Sequence, residues 1–261
     1  MRERQAAMRP FREHLIAHRG LFDNARAYPE NTLAAFDRAV RAGYGIELDV
    51  RLTKDRRVVV AHDDTLERIC GDPVAIADLT YDELRAYRIL RSDEHVPTFA
   101  DVLALIGGRV PLIVEIKQGG DIAETCRLTN EALSGYPGVY CVESFDPRAL
   151  LWYRRNRPGV LRGQLSDDFR DDPQTGSRVL DWALTNLAFS PLTWPDFLAY
   201  HHEHAGVAVR VWRAVLRCTL VAWTVESQAQ LDAARARFDA FIFDSFSPDG
   251  AIDPDDHDRD A

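Results

Sequence analysis

No run in this chain approaches the ~18 consecutive apolar residues of a membrane-crossing helix, so no membrane span is expected. The opening stretch, Met1 to Gly20, lacks the apolar centre of a secretory leader. Cysteine is scarce. The four present, Cys70, Cys126, Cys141 and Cys218, are widely spaced and form no Cys-x-x-Cys pair, which argues against a disulfide framework and a thiolate zinc site. Positive charge is in deficit, with 32 Lys and Arg against 41 Asp and Glu, net −9. With no basic stripe, nucleic acid is not an expected partner. A Gly-rich dinucleotide fingerprint, a Gly-x-Ser-x-Gly elbow, a P-loop and a His-Glu-x-x-His helix are all missing, so serine hydrolase, nucleotidase and zinc protease readings lack support. The default location is the cytoplasm.

What is present reads as α/β. The chain has 261 residues, 46% of them hydrophobic, enough to bury one barrel-sized core. Short apolar runs at His14–Ala17, Gly45–Val50, Val110–Lys117, Val139–Glu143, Val160–Leu165, Asn186–Ser190, Leu220–Val225 and Ala240–Phe243 predict eight strands, with an extra short one at Val58–Ala61. Helical patterns separate them: about Pro29–Arg41, Thr98–Ile106, Asp121–Ser134, Pro147–Arg155, Ser177–Ala183, Pro195–His204 and Gln228–Phe238. Eight alternating units favour a closed (β/α)8 TIM barrel over an open sheet. The expected organisation is one barrel domain over residues 1–261. It carries an insertion at about 65–97 and a flexible acidic tail at about 249–261, where Asp249, Asp253, Asp255, Asp256, Asp258 and Asp260 crowd together.

Barrel active sites lie at the C-terminal ends of the strands. His18 and Arg19 close the first strand run, Glu47 and Asp49 lie two apart in the second, His62 follows the short one, and Glu115 and Lys117 end the next. Residues two apart in a strand share a face. Each feature alone has a plain explanation: an ion-paired Glu-x-Asp, a structural histidine, a simple Glu–Lys bridge. Together they gather polar groups at one end of strands that should be buried on both faces, where they are costly unless paired or metal-bound. Three carboxylates without cysteine suit one hard divalent cation, Mg²⁺ or Ca²⁺. Arg19 and Lys117 suit a phosphate, and two histidines can share acid and base duties near neutral pH. Those are the parts a phosphodiester hydrolysis requires.

At these residues the sequence strongly resembles the glycerophosphodiester phosphodiesterase family. The matching stretches are His18-Arg19-Gly20, Pro29-Glu30-Asn31-Thr32 with Phe36, Glu47-Leu48-Asp49-Val50 with Thr53 and Asp55, and Val59-Val60-Ala61-His62-Asp63. They continue at Pro97-Thr98-Phe99, Val114-Glu115-Ile116-Lys117, Glu143-Ser144-Phe145-Asp146-Pro147 and Ala222-Trp223-Thr224-Val225. The resemblance spans about residues 14 to 248 and is densest in the first 120. It implies a distorted barrel with a small insertion after the second strand. It also implies hydrolysis of small glycerophosphodiesters to glycerol 3-phosphate and an alcohol, within lipid and glycerol metabolism. Position by position, Glu47, Asp49 and Glu115 match metal ligands, His18 and His62 the general acid and base, and Arg19 and Lys117 phosphate contacts. Glu30 and Asn31 match a supporting loop. The chain departs from the pattern in a longer Leu21–Tyr28 loop, in Glu226 where Asn is frequent, and in a last strand, Phe241-Ile242-Phe243-Asp244, that is not Gly-rich.

Trp223 reads either as a wall for the substrate or as core packing. His201-His202-Glu203-His204 could bind metal, but the helical reading places it at a helix end on the outer ring, solvated and far from the strand ends. Arg154, Arg155 and Arg157 read as a solvated helix end, and Trp194 and Phe197 as ordinary packing rather than a lipid-lined mouth. Competing functions are a lysophospholipase D-type activity, a lyase that stops at the cyclic phosphate, and a binding barrel without catalysis. The last would lack ligands or histidines. Oligomeric state is not legible.

Overall fold

Short, β-branched and apolar segments become strands here because both of their faces are covered. The computed structural model describes residues 2–170, 173 and 175–248. The strands are β1 (Ile16–Ala17), β2 (Gly45–Leu52), β3 (Val58–Val60), β4 (Leu112–Ile116), β5 (Tyr140–Ser144), β6 (Leu161–Ser166), β7 (Phe197–His201), β8 (Thr219–Val225) and β9 (Ala240–Phe243). All except β3 pair in parallel in the order β1-β2-β4-β5-β6-β7-β8-β9, and β9 pairs back onto β1, closing an eight-stranded barrel. The short β3 folds antiparallel onto the end of β2, with Val50 opposite Val60.

Two helices, α1 (Arg2–Ala7) and α2 (Arg9–Glu13), precede β1, and the others lie between strands: α3 (Leu33–Arg41), α4 (Glu67–Cys70), α5 (Tyr81–Leu84), α6 (Phe99–Ile106), α7 (Ile122–Ala132), α8 (Pro147–Asn156), α9 (Arg178–Thr185), α10 (Ser190–Thr193), α11 (Val207–Leu216) and α12 (Gln228–Ala234). Several start where their side chains can satisfy free backbone N–H groups. The Thr32 hydroxyl accepts from the Ala35 N–H ahead of α3, and Thr98 from Asp101 ahead of α6, as expected of a cap at Thr98. The helix expected from Pro29 begins only at Leu33, because Asn31 sits at φ 57°, outside the helical range.

Alternation along each strand divides the core in two. Ile16, Ile113, Cys141, Leu161, Phe197, Ala199, Val221 and Ile242 fill the barrel interior. Leu112, Val114, Val142, Leu198, Tyr200, Leu220 and Ala222 face outward against the helices. Packing is tight: a Cβ on Gly163 would fall 2.0 Å from the Phe197 ring. Met8 and Phe11, both fully buried, join the interior cluster at the N-terminal ends of the strands and plug the barrel floor. Burying a side chain such as Phe11 contributes about 2–3 kcal/mol. Between β3 and α6 the chain makes a satellite core of Leu66, Ile69, Ile76, Leu84, Ile89 and Val96, within the stretch expected as an insertion. The expected acidic tail lies outside the described residues.

One strand sits elsewhere than its expected place. Asn186–Ser190 connects α9 and α10, with Leu187 at φ 56°, and the sixth barrel strand, β7, is Phe197–His201, inside the segment read as a helix over Pro195–His204. A strand buried on both faces is apolar throughout, so the run Phe197-Leu198-Ala199-Tyr200 carries no period that separates it from a buried helix. His201 therefore stands at the C-terminal end of a barrel strand and not on the outer ring.

Candidate active site

The site begins with a parallel register. Asp49 on β2 stands opposite Glu115 on β4, which stands opposite Glu143 on β5, so three carboxylates line up across neighbouring strands. Glu47, two residues before Asp49, shares its face. All four are nearly inaccessible. One ligand oxygen from each of Glu47, Asp49 and Glu115 lies within 4.8 Å of the others.

Such a gathering is unfavourable for bare anions. Burial pushes Glu47 well above the usual carboxylate range, reinforced by the charges of Asp49, Glu115 and Glu143. Burial also pushes Glu115 upward, against the pull of Lys117 and with the push of Asp49. Asp49 goes the other way: its burial is outweighed by Lys117, His62, Arg19 and a hydrogen bond from Asn31, which hold it well below its ordinary value. Lys117 Nζ sits 3.0 Å from Glu115 Oε1 and 3.3 Å from Asp49 Oδ1, yet both oxygens are buried without a completed hydrogen bond. An all-oxygen donor set and clustered negative charge that one lysine only partly offsets fit a hard divalent cation.

The first loop supplies the cationic wall. After β1, the turn His18-Arg19-Gly20 runs through left-handed backbone, with Arg19 at φ 55° and Gly20 at φ 83°. A Cβ at Gly20 would also meet the Ala35 backbone at 2.9 Å, so glycine is required there on two counts. The turn aims the Arg19 N–H at Glu47 Oε2 (3.2 Å) and its guanidinium at Glu30 (2.7 Å) and Asp49 (3.6 Å). Asn31 donates from Nδ2 to Asp49 Oδ2 at 2.8 Å. Glu30 also accepts from Asn24 and from both terminal nitrogens of Arg68, a residue of α4. Although buried, Glu30 is held down to about 2 by Arg68, Arg19 and Asn24.

Each histidine has an aspartate behind it. His18 Nδ1 is 2.7 Å from Asp244 Oδ2, and His62 Nδ1 is 2.7 Å from Asp63 Oδ1. Both aspartates lie below their ordinary range despite burial, through the hydrogen bond from their histidine, with Arg68 assisting at Asp63. Ionised, they accept from Nδ1–H and leave Nε2 as the working nitrogen. His18 Nε2 is 3.9 Å from Glu47 Oε2. Burial lowers His62 to about 4, the attraction of Asp49 notwithstanding, so its imidazole is neutral at pH 7. Arg51 fixes the His62 backbone, donating to its carbonyl from Nε (2.9 Å) and Nη2 (2.7 Å).

The structure thus brings His18, Arg19, Glu30, Asn31, Glu47, Asp49, His62, Glu115 and Lys117 together. Trp223 stands farther round the mouth, its ring edge-on to Phe145 (5.6 Å) and to His201 (5.7 Å), its indole N–H without a partner. Sequence reasoning missed the functional environment of Asp63, Asp244, Glu143 and Arg51. Asp63 follows His62 directly and Asp244 ends the last strand run, so both had a positional signal. Glu143 falls in a matched stretch at the end of a predicted strand, but its place beside Glu115 shows only through register. Its carboxyl is pushed well above the usual range by burial and by Glu115 and Asp49, and it keeps one oxygen unpartnered.

A parallel eight-stranded barrel with a buried carboxylate triad at its C-terminal rim, flanked by two Asp-backed histidines, defines a class of phosphate-handling site rather than a single enzyme. The model of the glycerophosphoryl diester phosphodiesterase family matches residues 18–247, and the chain belongs to that family. It is similar to the glycerophosphodiester phosphodiesterase of Caldanaerobacter subterraneus subsp. tengcongensis, 41% identical over 113 residues, 40% of this chain and 45% of that one. The match to a Bacillus subtilis relative covers 63% of its length, so the chain spans under two thirds of these curated relatives. Among solved structures, a Thermotoga maritima glycerophosphodiester phosphodiesterase is 28% identical with a TM-score of 0.68, over 88% of this chain and 94% of that one. An Oleispira antarctica phosphodiesterase in complex with the product sn-glycerol-3-phosphate shares the fold, with a TM-score of 0.74 at 24% identity, over 89% and 93%. Among the described residues, no helix is long and apolar enough to cross a membrane.

Proposed function

We propose that this chain hydrolyses small glycerophosphodiesters to glycerol 3-phosphate and an alcohol. The observation that carries the reading is the convergence of Glu47, Asp49 and Glu115 with two histidines, each backed by an aspartate. Family membership supports it, as does the product-bound Oleispira relative of the same fold. Glu47, Asp49 and Glu115 would hold one divalent cation, Mg²⁺ or Ca²⁺, which when bound would stabilise charge on the phosphate oxygens.

Arg19 and Lys117 would hold the phosphate at the strand ends. One histidine takes the proton from the glycerol hydroxyl next to the phosphate through its free Nε2. That oxygen forms a new P–O bond while the bond to the alcohol breaks, and the other histidine protonates the leaving oxygen. Water then opens the cyclic phosphate with the two histidines in exchanged roles. Asp244 and Asp63 fix the tautomers this requires. Glu30 and Asn31 hold Arg19 and Asp49 in place, and Trp223 would wall the alcohol side. A second reading, a lysophospholipase D-type activity, draws on the aromatic side of the mouth, where Phe145 packs edge-on to Phe169 at 6.0 Å and to Trp223 at 5.6 Å. The whole works as one barrel domain in the cytoplasm under this proposal.

The test is turnover across a panel of glycerophosphodiester head groups and lyso-lipids, with and without chelator, together with an analogue lacking the free glycerol hydroxyl. Soluble diesters should turn over, the lyso-lipids poorly and the analogue not at all. Equal turnover of the analogue would replace the cyclic route by direct attack of water. Activity that survives full metal removal would remove the carboxylate site from the mechanism.

A further inference from the structure

The same rim carries a second group of potential ligands, on the other side of Trp223. Asp167 follows directly on β6, His201 is the last residue of β7, and His204 lies three residues on in the turn that leads away. One ligand atom from each of the three lies within 4.8 Å of the other two. The rings of His201 and His204 stack with centroids 4.3 Å apart and 22° between planes, and His204 Nδ1 lies 2.7 Å from Asp167 Oδ1. A His201 nitrogen, Nδ1, is buried with no hydrogen-bond partner.

Two imidazoles pressed face to face gain little from each other, and each ring nitrogen without a hydrogen bond is free to coordinate a metal ion. A salt bridge between Asp167 and His204 would account for that pair. It does not account for His201, whose ring stacks on those of His204 and His202 while its Nδ1 is left without a hydrogen-bond partner. The backbone also converges here: the His204 N–H donates to the His201 carbonyl at 3.1 Å, and the His202 N–H to the Trp223 carbonyl at 3.1 Å, which ties the turn to the end of β8.

We propose that Asp167, His201 and His204 form a second metal site that takes a borderline transition-metal ion of the zinc class. The donor set decides the class. Two imidazoles and one carboxylate suit Zn²⁺, whereas the all-oxygen triad of Glu47, Asp49 and Glu115 suits Mg²⁺ or Ca²⁺. Three protein ligands leave a fourth position for water or a substrate oxygen. The ion joins the start of the β6–α9 connection to the end of β7 and stiffens the mouth beside Trp223, whose ring edge meets His201.

The test reads metal content, not activity, so it stands apart from the proposed hydrolysis. Chelator-treated full-length chain is equilibrated with Zn²⁺ under a large excess of Mg²⁺, and bound zinc is measured by atomic emission. The parent and the D167N, H201A, H204A and H204Q chains are compared, with far-UV circular dichroism of each metal-free chain as the folding check. His204 is exposed, so its two variants keep the comparison sound if H201A fails to fold. Zinc held by the acidic triad is common to all chains and cancels. The expected result is one zinc per chain fewer in every folded variant, and a zinc-induced rise in the parent's melting temperature that the variants lose. Equal zinc in the parent and the His204 variants, or no zinc in the parent, overturns the site.

Discussion

His18 and Asp244 meet across the seam where the first and last barrel strands close, their side chains 2.7 Å apart although 226 residues separate them in sequence. The His18 N–H also donates to the Phe243 carbonyl at 2.9 Å, so barrel closure itself sets the imidazole. Replacing Asp244 by Asn should leave the fold intact and lower kcat by between about 10- and 10⁴-fold, because the tautomer is no longer fixed. KM should move little. Steady-state kinetics on a soluble glycerophosphodiester checks this, and an unchanged kcat would make the pair structural only.

The histidines themselves should matter as much. His18→Ala and His62→Ala should each lower the rate by roughly 10²–10⁴-fold, the range for removal of a positioned acid or base. A double variant should cost less than the product of the two, since the pair acts on one proton inventory. Single and double variants assayed side by side decide it.

Glu30 gives a pH signature. Its folded-state value, about 2, is depressed from an ordinary 4.5. Between these values the unfolded chain binds a proton that the folded chain refuses, so the contribution is present above about pH 4.5 and is lost as pH falls toward 2. It is on the order of 3 kcal/mol. Urea unfolding from pH 5.5 downward should show Glu30→Gln less stable than the parent at the upper end, with the gap closing in acid. A constant gap would assign the loss to packing instead.

Metal removal should act on stability as well as rate. Glu47, Asp49 and Glu115 repel one another when unneutralised, so chelator should lower the melting temperature and abolish turnover, and Mg²⁺ or Ca²⁺ should restore both. In Glu115→Gln one of the like charges is gone. Its metal-free form should therefore melt at or above the parent's metal-free value, while its response to added cation shrinks. Calorimetric scans with and without chelator measure both.

Much of this was legible in the sequence because strand chemistry is local. A Glu-x-Asp in an apolar run points two carboxylates one way whatever the rest of the chain does, and His-Arg-Gly after such a run can only be a turn at a strand end. The proposed acid and base pair, the carboxylate triad and the proposed phosphate cations were all candidates on that ground. Asp63 and Asp244 carried weaker signals, one adjacent to His62 and one at the last strand's end. Neither states its partner, because pairing across the barrel seam is not a sequence-local property.

The misplacement of β7 shows the other limit. Phe197 and Ala199 turn into the barrel while Leu198 and Tyr200 turn outward against the helices, so the segment is apolar on both faces. With that period erased, nothing local to the sequence separates a rim position for His201 from one on the outer ring. Sequence by itself determined the barrel class, the end of its first strands at which polar groups gather, and the identity of those groups. The tertiary structure decided which strands neighbour which, and so put Glu143 beside Glu115, Asp244 behind His18, and His201 and His204 against Asp167. Register and closure depend on every strand being present at once, and only then do residues distant in the chain share a few ångströms.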